Sequence, residues 1–298
     1  MMSCIIYRNN DDDDVQLSMK IDGCAMKYRW ERALVLAENP TKAVVVKKRN
    51  LIVVGASSSI GLATIKQLSK LTGDVTVYAT VADLTSPETE PLRLPGIVLK
   101  AADLTKPESM SSLLVGFDVV FIIAPEDKNR AVVVIDTINV CKSSKVGHIV
   151  VLSGITATLP STIFGAEFHL VETAVRESNI PFTIVRVPLF MENILSQLQL
   201  IGGKGEFFSP LPSTTVYNAA SVSDIGETVS KIVADSKQYE GMTLSLTGAV
   251  YSEKDYAEAF STVLGSPVKH VKVSDVAASI AITSPTLLLS DAFRCRTM

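Results

Sequence analysis

Cysteine and histidine are scarce in this chain of 298 residues. The four cysteines, Cys4, Cys24, Cys141 and Cys295, lie far apart and form no CxxC pair. That spacing supplies neither a disulfide framework nor a thiolate metal site. The three histidines, His148, His169 and His270, are equally scattered, so no metal is expected. Positive charge is not in excess either. The formal net charge is −3, which leaves no basic face to dock on phosphates, and nucleic acid is not an expected partner. No apolar run approaches the ~20 residues that cross a bilayer, which excludes a membrane span. The opening MMSCIIYRNNDDDD has no basic lead-in and no long apolar core, so it does not read as a secretory signal. A cytoplasmic location is the default expectation.

What is present is ordinary for a globular protein, with 47% apolar and 20% charged residues, and enough length for one large domain with an added lobe. Residues 1–48 stand apart. They hold the acidic run Asp11–Asp14, the single tryptophan Trp30 and a short helix-like piece, YRWERALVLAE. This segment reads as a partly disordered extension. From residue 49 onward the pattern changes. Apolar, β-branched runs at 51–55, 75–80, 96–100, 118–124, 148–153 and 182–187 alternate with helix-like stretches at 59–71, 107–115, 129–144 and 164–178. Such runs without internal alternation mark a parallel sheet covered on both faces, a doubly wound α/β domain. TKPE (105–108) reads as a capping box, and YSEKDYAEAFSTVLG as a helix begun at Ser252 and stopped at Gly265. After about residue 190 the rhythm loosens into a helix, a glycine pair, a strand pair and further helices. This part is expected to form a small C-terminal α+β substrate lobe within a domain spanning 49–280, with 281–298 as a tail.

The stretch LIVVGASSSIGLATIKQL (51–68) places glycines at the end of the first strand, Gly55, and in the first turn of the following helix, Gly61. Gly55 allows a tight turn, and Gly61 lets the helix pack closely on the sheet. A dinucleotide pyrophosphate would rest on the free N–H groups at the helix start. Ser58 or Ser59 stands at the position of the missing middle glycine, where a hydroxyl can donate to phosphate but a Cβ limits backbone approach. Rival loops fail on residues: Leu62 and Ala63 follow where a Walker loop needs lysine and a hydroxyl residue, and no GxSxG occurs. Asp83, just past the second strand, is the candidate for the adenosine ribose. No arginine or lysine occurs between residues 71 and 92 to meet an NADP 2′-phosphate, and the choice between NAD and NADP is left open. Asp103 closes the third strand. With Thr105 read as the next helix cap, Asp103 is expected near the adenine.

Together with VLKAADLTKPESMSSLLVGFDVVFIIAPED, VETAVRESNIPFTIVRVPLFMENIL and SVSDIGETVSKIV, the loop resembles the NmrA-like, atypical branch of the short-chain dehydrogenase/reductase superfamily over about residues 50–275. The resemblance implies a Rossmann domain that binds NAD(P)(H). It implies that Gly55, Ser57, Ser58, Ser59 and Ile60 line the pyrophosphate and that Asp103 and Leu104 flank the adenine. It also implies that Ala124 and Pro125 pass the nicotinamide ribose and that Ser153 faces the nicotinamide end. The chain departs from the family where Ser58 replaces a usual glycine, where the usual basic residue gives way around Val81–Asp83, and at both ends.

Catalysis in main-line members uses a tyrosine with a lysine four residues on, a spacing that puts both on one helix face. None of the seven tyrosines here has that lysine. The equivalent helix presents Phe164 and Phe168, which share a face with Val171 and Val175 and are expected to pack in the core. His169 and Glu172 are expected as a solvated pair. No catalytic residue is assigned. The sequence therefore implies an NAD(P)-dependent reductase that transfers hydride to a small carbonyl, enone or quinone. The alternative is a non-catalytic dinucleotide sensor that binds a protein partner.

Overall fold

The computed structural model describes residues 5–7, 49–71, 75–125, 127 and 129–274. The acidic run, Trp30 and the 281–298 tail lie outside them. After an edge strand β1 (Ile5–Tyr7), the chain runs β2 (Arg49–Val54), α1 (Ser59–Leu68), β3 (Val75–Val81), β4 (Ile97–Ala101), α2 (Pro107–Ser111), β5 (Val119–Ile122), α3 (Arg130–Ser143), β6 (Ile149–Gly154), α4 (Ile163–Glu177) and β7 (Phe182–Val187). It then leaves for a small unit through β8 (Leu189–Phe190), α5 (Leu198–Lys204), β9 (Glu206–Ser209) and β10 (Tyr217–Ala220). It returns to the large unit for α6 (Val222–Ala234) and β11 (Met242–Thr247). It finishes in the small unit with β12 (Ala249–Tyr251), α7 (Glu253–Leu264) and β13 (Lys269–Lys272). The lobe read from residue 190 onward is thus interrupted, because 220–248 belongs to the large unit.

The large unit is built on one eight-stranded sheet in the order β1-β11-β7-β6-β5-β2-β3-β4. Every pairing from β11 to β4 is parallel, and only β1 on β11 is antiparallel. This is the doubly wound, Rossmann arrangement expected from the run of β-branched strands. Strand order reverses between β2 and β5, and ligands of such sheets bind beyond the carboxyl ends at that point. Alternate strand residues, Ile52, Val54, Val120, Ile122, Ile149, Val151 and Ile184, pack with Met110 of α2, Val134 and Ile138 of α3 and Val171 and Val175 of α4. The complementary set, Leu51, Val53, Val119, Phe121, Val150 and Val185, is equally buried, so both faces are covered. Helices α1 and α6 pack on each other so closely that a Cβ on Gly226 would lie 2.5 Å from the Ala63 Cβ.

One cap is not as expected. The first helical residue of α2 is Pro107, its N-cap is Lys106, and no side chain caps it. Thr105 instead donates both its N–H and its hydroxyl to Asp103 Oδ1, at 3.0 and 2.6 Å. The short Asx turn outcompetes the capping box because proline at N1 already removes one orphan donor.

The small unit contains a three-stranded sheet, β12-β10-β8, and a two-stranded parallel one, β13-β9. The two strands anticipated after the glycine pair, β9 and β10, do not pair with each other. Gly202 and Gly203 lie inside α5, and the left-handed stop falls to Gly205 at φ 66°. Helix α7 begins at a full capping box between Ser252 and Asp255 and ends at Gly265, φ 63°, as its sequence requires.

Candidate functional site

The turn from β2 into α1 is set by three residues. Gly55 sits at φ 83°, where a side chain is disfavoured, and a Cβ there would come 3.0 Å from Ile123 O on β5's exit. Its N–H donates to Thr80 Oγ1 at 3.2 Å, which ties the turn to the end of β3. Gly61 is more tightly confined, since a Cβ would meet Gly55 O at 2.5 Å and Ala56 Cα at 2.6 Å. Ser58 is the N-cap of α1. Its hydroxyl donates to Gly55 O at 2.8 Å and accepts from Gly61 N at 3.1 Å. The Ser58 hydroxyl, expected to face a phosphate, here serves the turn itself. At φ −66° and ψ 159° the position needs no glycine. Ser57 and Ser59 are exposed beside it, while the Ile60 side chain is buried and offers only its backbone. Both glycines thus let the turn and the start of α1 close onto the strand ends, where a Cβ would strike Ile123 O or the Gly55–Ala56 backbone, and the N–H groups of Ser57, Ser59 and Ile60 at the helix start fit a dinucleotide pyrophosphate.

The other sequence candidates line the carboxyl ends of neighbouring strands. Asp83 lies two residues past β3. Thr85 donates to its Oδ1 from N–H at 2.8 Å and from its hydroxyl at 2.7 Å, which holds the carboxyl below the usual range. Asp103, past β4, is not free of local duty as expected. Beyond the Thr105 bonds, its Oδ2 pairs with Lys106 Nζ at 2.9 Å, and these partners lower its pKa. Leu104 and Ala124 are half-buried against the core, and Pro125 follows Ala124 into the loop before α3. Ser153 closes β6 but is buried, and its hydroxyl donates to Glu172 Oε1 at 2.6 Å.

Helix α4 departs most from expectation. Val171 and Val175 are buried, but Phe164 is 44% exposed, with the Arg130 guanidinium 4.9 Å above its ring. Phe168 is half-buried, and its ring occupies the space beside Gly154, where a Cβ would lie 2.7 Å from Cε2. The two are therefore not a core pair: Phe168 lies at the end of β6, and Phe164 is exposed beneath Arg130. His169 is exposed, whereas Glu172 is 4% exposed and faces the sheet. The expected solvated pair does not form. Glu172 instead joins Ser153 to Arg186 of β7 in a buried cluster. Arg186 was not singled out by sequence. The signal lay in one cation within FTIVRV, a strand otherwise without charge, at the same time as one acid on the apolar stripe of α4.

Among the described residues, no group of His, Cys, Asp and Glu is placed to hold a metal. No described helix is long and apolar enough to cross a membrane.

The chain matches the NmrA-like family over residues 47–287. It belongs to that family. It is 28% identical over 235 residues to the NAD(P)H azoreductase of Xenophilus azovorans, covering 78% of this chain and 80% of that one. The NADPH-dependent quinone oxidoreductase QOR2 of Escherichia coli, solved with NADPH, superposes with a TM-score of 0.71 at 22% identity, covering 81% of this chain and 85% of that one. The Citrobacter sp. triphenylmethane reductase, solved with NADP(H), gives a TM-score of 0.71 at 19% identity over 81% and 86%. The fold of this NmrA-like chain is thus that of nicotinamide-dependent reductases.

The small unit has its own polar network. Ser209 Oγ donates to the buried Glu253 Oε1 at 2.7 Å and lies 3.3 Å from His270 Nε2. Burial and the Glu253 carboxylate raise the Tyr217 phenol, and burial pushes Tyr256 up to about 12. Ser209, Tyr217, Glu253 and Tyr256 border a pocket of about 150 Å³ with Phe190 and Ile194 among its apolar walls.

Proposed function

We propose that this chain is an NAD(P)H-dependent reductase acting on a small carbonyl, enone or quinone. The observation that carries this reading is the Gly55–Gly61 turn at the strand-order reversal, where both glycines let the start of α1 pack tightly onto the strand ends with its N–H groups presented beyond them. The azoreductase, quinone reductase and dye reductase relatives support it by their own activities.

Gly55 and the N–H groups of Ser57, Ser59 and Ile60 hold the pyrophosphate, and Gly61 keeps α1 close beneath it. Asp83 holds the adenosine ribose, Asp103 and Leu104 border the adenine, and Ala124 and Pro125 border the nicotinamide ribose. NAD(P)H, when bound, supplies the hydride. Phe168, packed on Gly154, gives the acceptor an apolar aromatic wall. Ser153 cannot polarise a carbonyl while its hydroxyl serves Glu172. Rate then comes from orientation of the acceptor, with the proton taken from water.

The test is a titration of the full chain with NADH and NADPH, followed by nicotinamide fluorescence, then a panel of quinones added to the complex. Saturation and oxidation by an acceptor are expected. No saturation up to millimolar cofactor would overturn the reading. Saturation without oxidation by any acceptor would leave a dinucleotide-binding regulator that signals to a protein partner.

A further inference from the structure

We infer that Asp83 makes this chain select NAD(H) over NADP(H). The inference rests on the reductase reading above and adds to it the identity of the cofactor.

The place of Asp83 is fixed by the fold. It follows β3, the strand paired directly with β2, and the Gly55 N–H is bonded to Thr80 only three residues earlier. An acid at this place, about 20 residues beyond the glycine turn, accepts hydrogen bonds from the ribose hydroxyls. The carboxylate is also held in place. Both Thr85 donors go to Oδ1, and no protein donor reaches Oδ2 among the described residues. One oxygen is anchored and the other remains open to a hydroxyl. The Thr85 bonds keep the group ionised at neutral pH.

A 2′-phosphate at the same place would meet that charge, and among the described residues the cations near it already have partners. Three basic side chains border the adenosine end, and each is engaged. Arg93 Nη2 donates to Leu84 O at 2.7 Å, and its Nε pairs with Glu90 Oε2 at 3.2 Å. Lys100 lies over the Tyr78 ring at 5.9 Å, and Lys106 is bound to Asp103. From Val81 to Arg93 the chain carries Asp83, Glu88 and Glu90 against Arg93 alone. Ala82, exposed at the strand end, offers no donor of its own. The segment thus attracts a ribose diol and repels a phosphomonoester.

The experiment measures dissociation constants of the full chain for NADH and NADPH, and by calorimetry for AMP and adenosine 2′,5′-bisphosphate, which lack the nicotinamide. The unphosphorylated member of each pair should bind about tenfold tighter or more. Asp83→Asn should bring the two members of each pair to within about threefold, and Ala82→Arg added to it should reverse the order. Thermal melting checks that these exposed substitutions leave the fold intact. Equal or tighter binding of the phosphorylated ligands to the unaltered chain overturns the inference while the reductase reading stands. An unchanged ratio in Asp83→Asn also overturns it, as does a loss of NADPH binding alone in Arg93→Ala. Binding of no nucleotide overturns both.

Discussion

Arg186 grips Glu172 by two parallel hydrogen bonds, from Nε to Oε1 at 2.9 Å and from Nη2 to Oε2 at 2.8 Å, with both side chains nearly out of water. Ser153 donates to the same Oε1. The cluster fastens α4 to the ends of β6 and β7 and so fixes where Phe168 rests.

Removing one member takes the bidentate partner from a nearly buried charge, although Glu172 keeps the Ser153 hydroxyl and Arg176 Nη2 at 3.9 Å. Arg186→Met or Glu172→Ala alone should cost about 3–5 kcal/mol, seen as a lower urea midpoint. Replacing both, Glu172→Leu with Arg186→Met, should cost far less than the sum, because no orphan charge remains. Additive losses would show that the pair is not the source of the effect.

His148 is buried, its Nε2 lies 2.9 Å from Thr183 Oγ1, and desolvation, aided by the nearby Arg49 charge, lowers its pKa to about 4. The folded chain thus keeps this imidazole neutral where the unfolded chain, with a pKa near 6.5, protonates it. Its contribution is complete above about pH 6.5 and is lost as pH falls toward 4, up to about 3 kcal/mol. Urea midpoints measured from pH 8 down to 4 should fall through that window, and His148→Gln should flatten the slope there.

Gly61→Ala forces a methyl onto the backbone of Gly55 and Ala56, so the turn must open. A stability loss of about 1–3 kcal/mol is expected, together with weakened binding of NADH. Ser58→Gly should behave oppositely despite restoring a glycine. It removes only the α1 cap at a cost of a few tenths of a kcal/mol, and Ser58→Ala costs about 1 kcal/mol. Nicotinamide fluorescence titration of the three variants checks the order.

In the small unit, Glu253→Ala strips the acceptor from the Ser209 and Tyr217 hydroxyls. A loss of about 1–3 kcal/mol is expected from the groups left unsatisfied. The Tyr217 phenol, relieved of the Glu253 carboxylate but not of Asp255, should titrate lower than before. Ultraviolet difference spectra across alkaline pH would register that shift.

The sheet was legible because β-branched runs such as VTVYAT and FTIVRV are buried on both faces and need no alternation to declare themselves. The glycine turn was legible because steric limits act on single residues. The carboxylates were harder. Asp103 looked free for a ligand because Thr105 was credited with capping α2, but Pro107 weakened the demand for a cap and the threonine turned back to the aspartate. Glu172 looked solvated because charge usually is. Its burial depends on Arg186, fourteen residues away and on a strand, and no local pattern joins them. Phe164 kept the helical spacing of a core residue, yet at the start of α4 it is exposed, with Arg130 over its ring.

The passage of 220–248 back into the large unit means that neither unit is encoded by one continuous stretch of the gene. The backbone crosses between them three times, after Pro188, after Ala219 and after Gly248. No single nick at these crossings releases the whole small unit as a free peptide: a cut after Gly248 severs 249 onward, but 189–219 stays joined at both its ends. Producing the small unit by itself would require splicing 189–219 directly to 249–274, and ending the large unit at 188 would remove β11 from its sheet and α6 from its packing on α1.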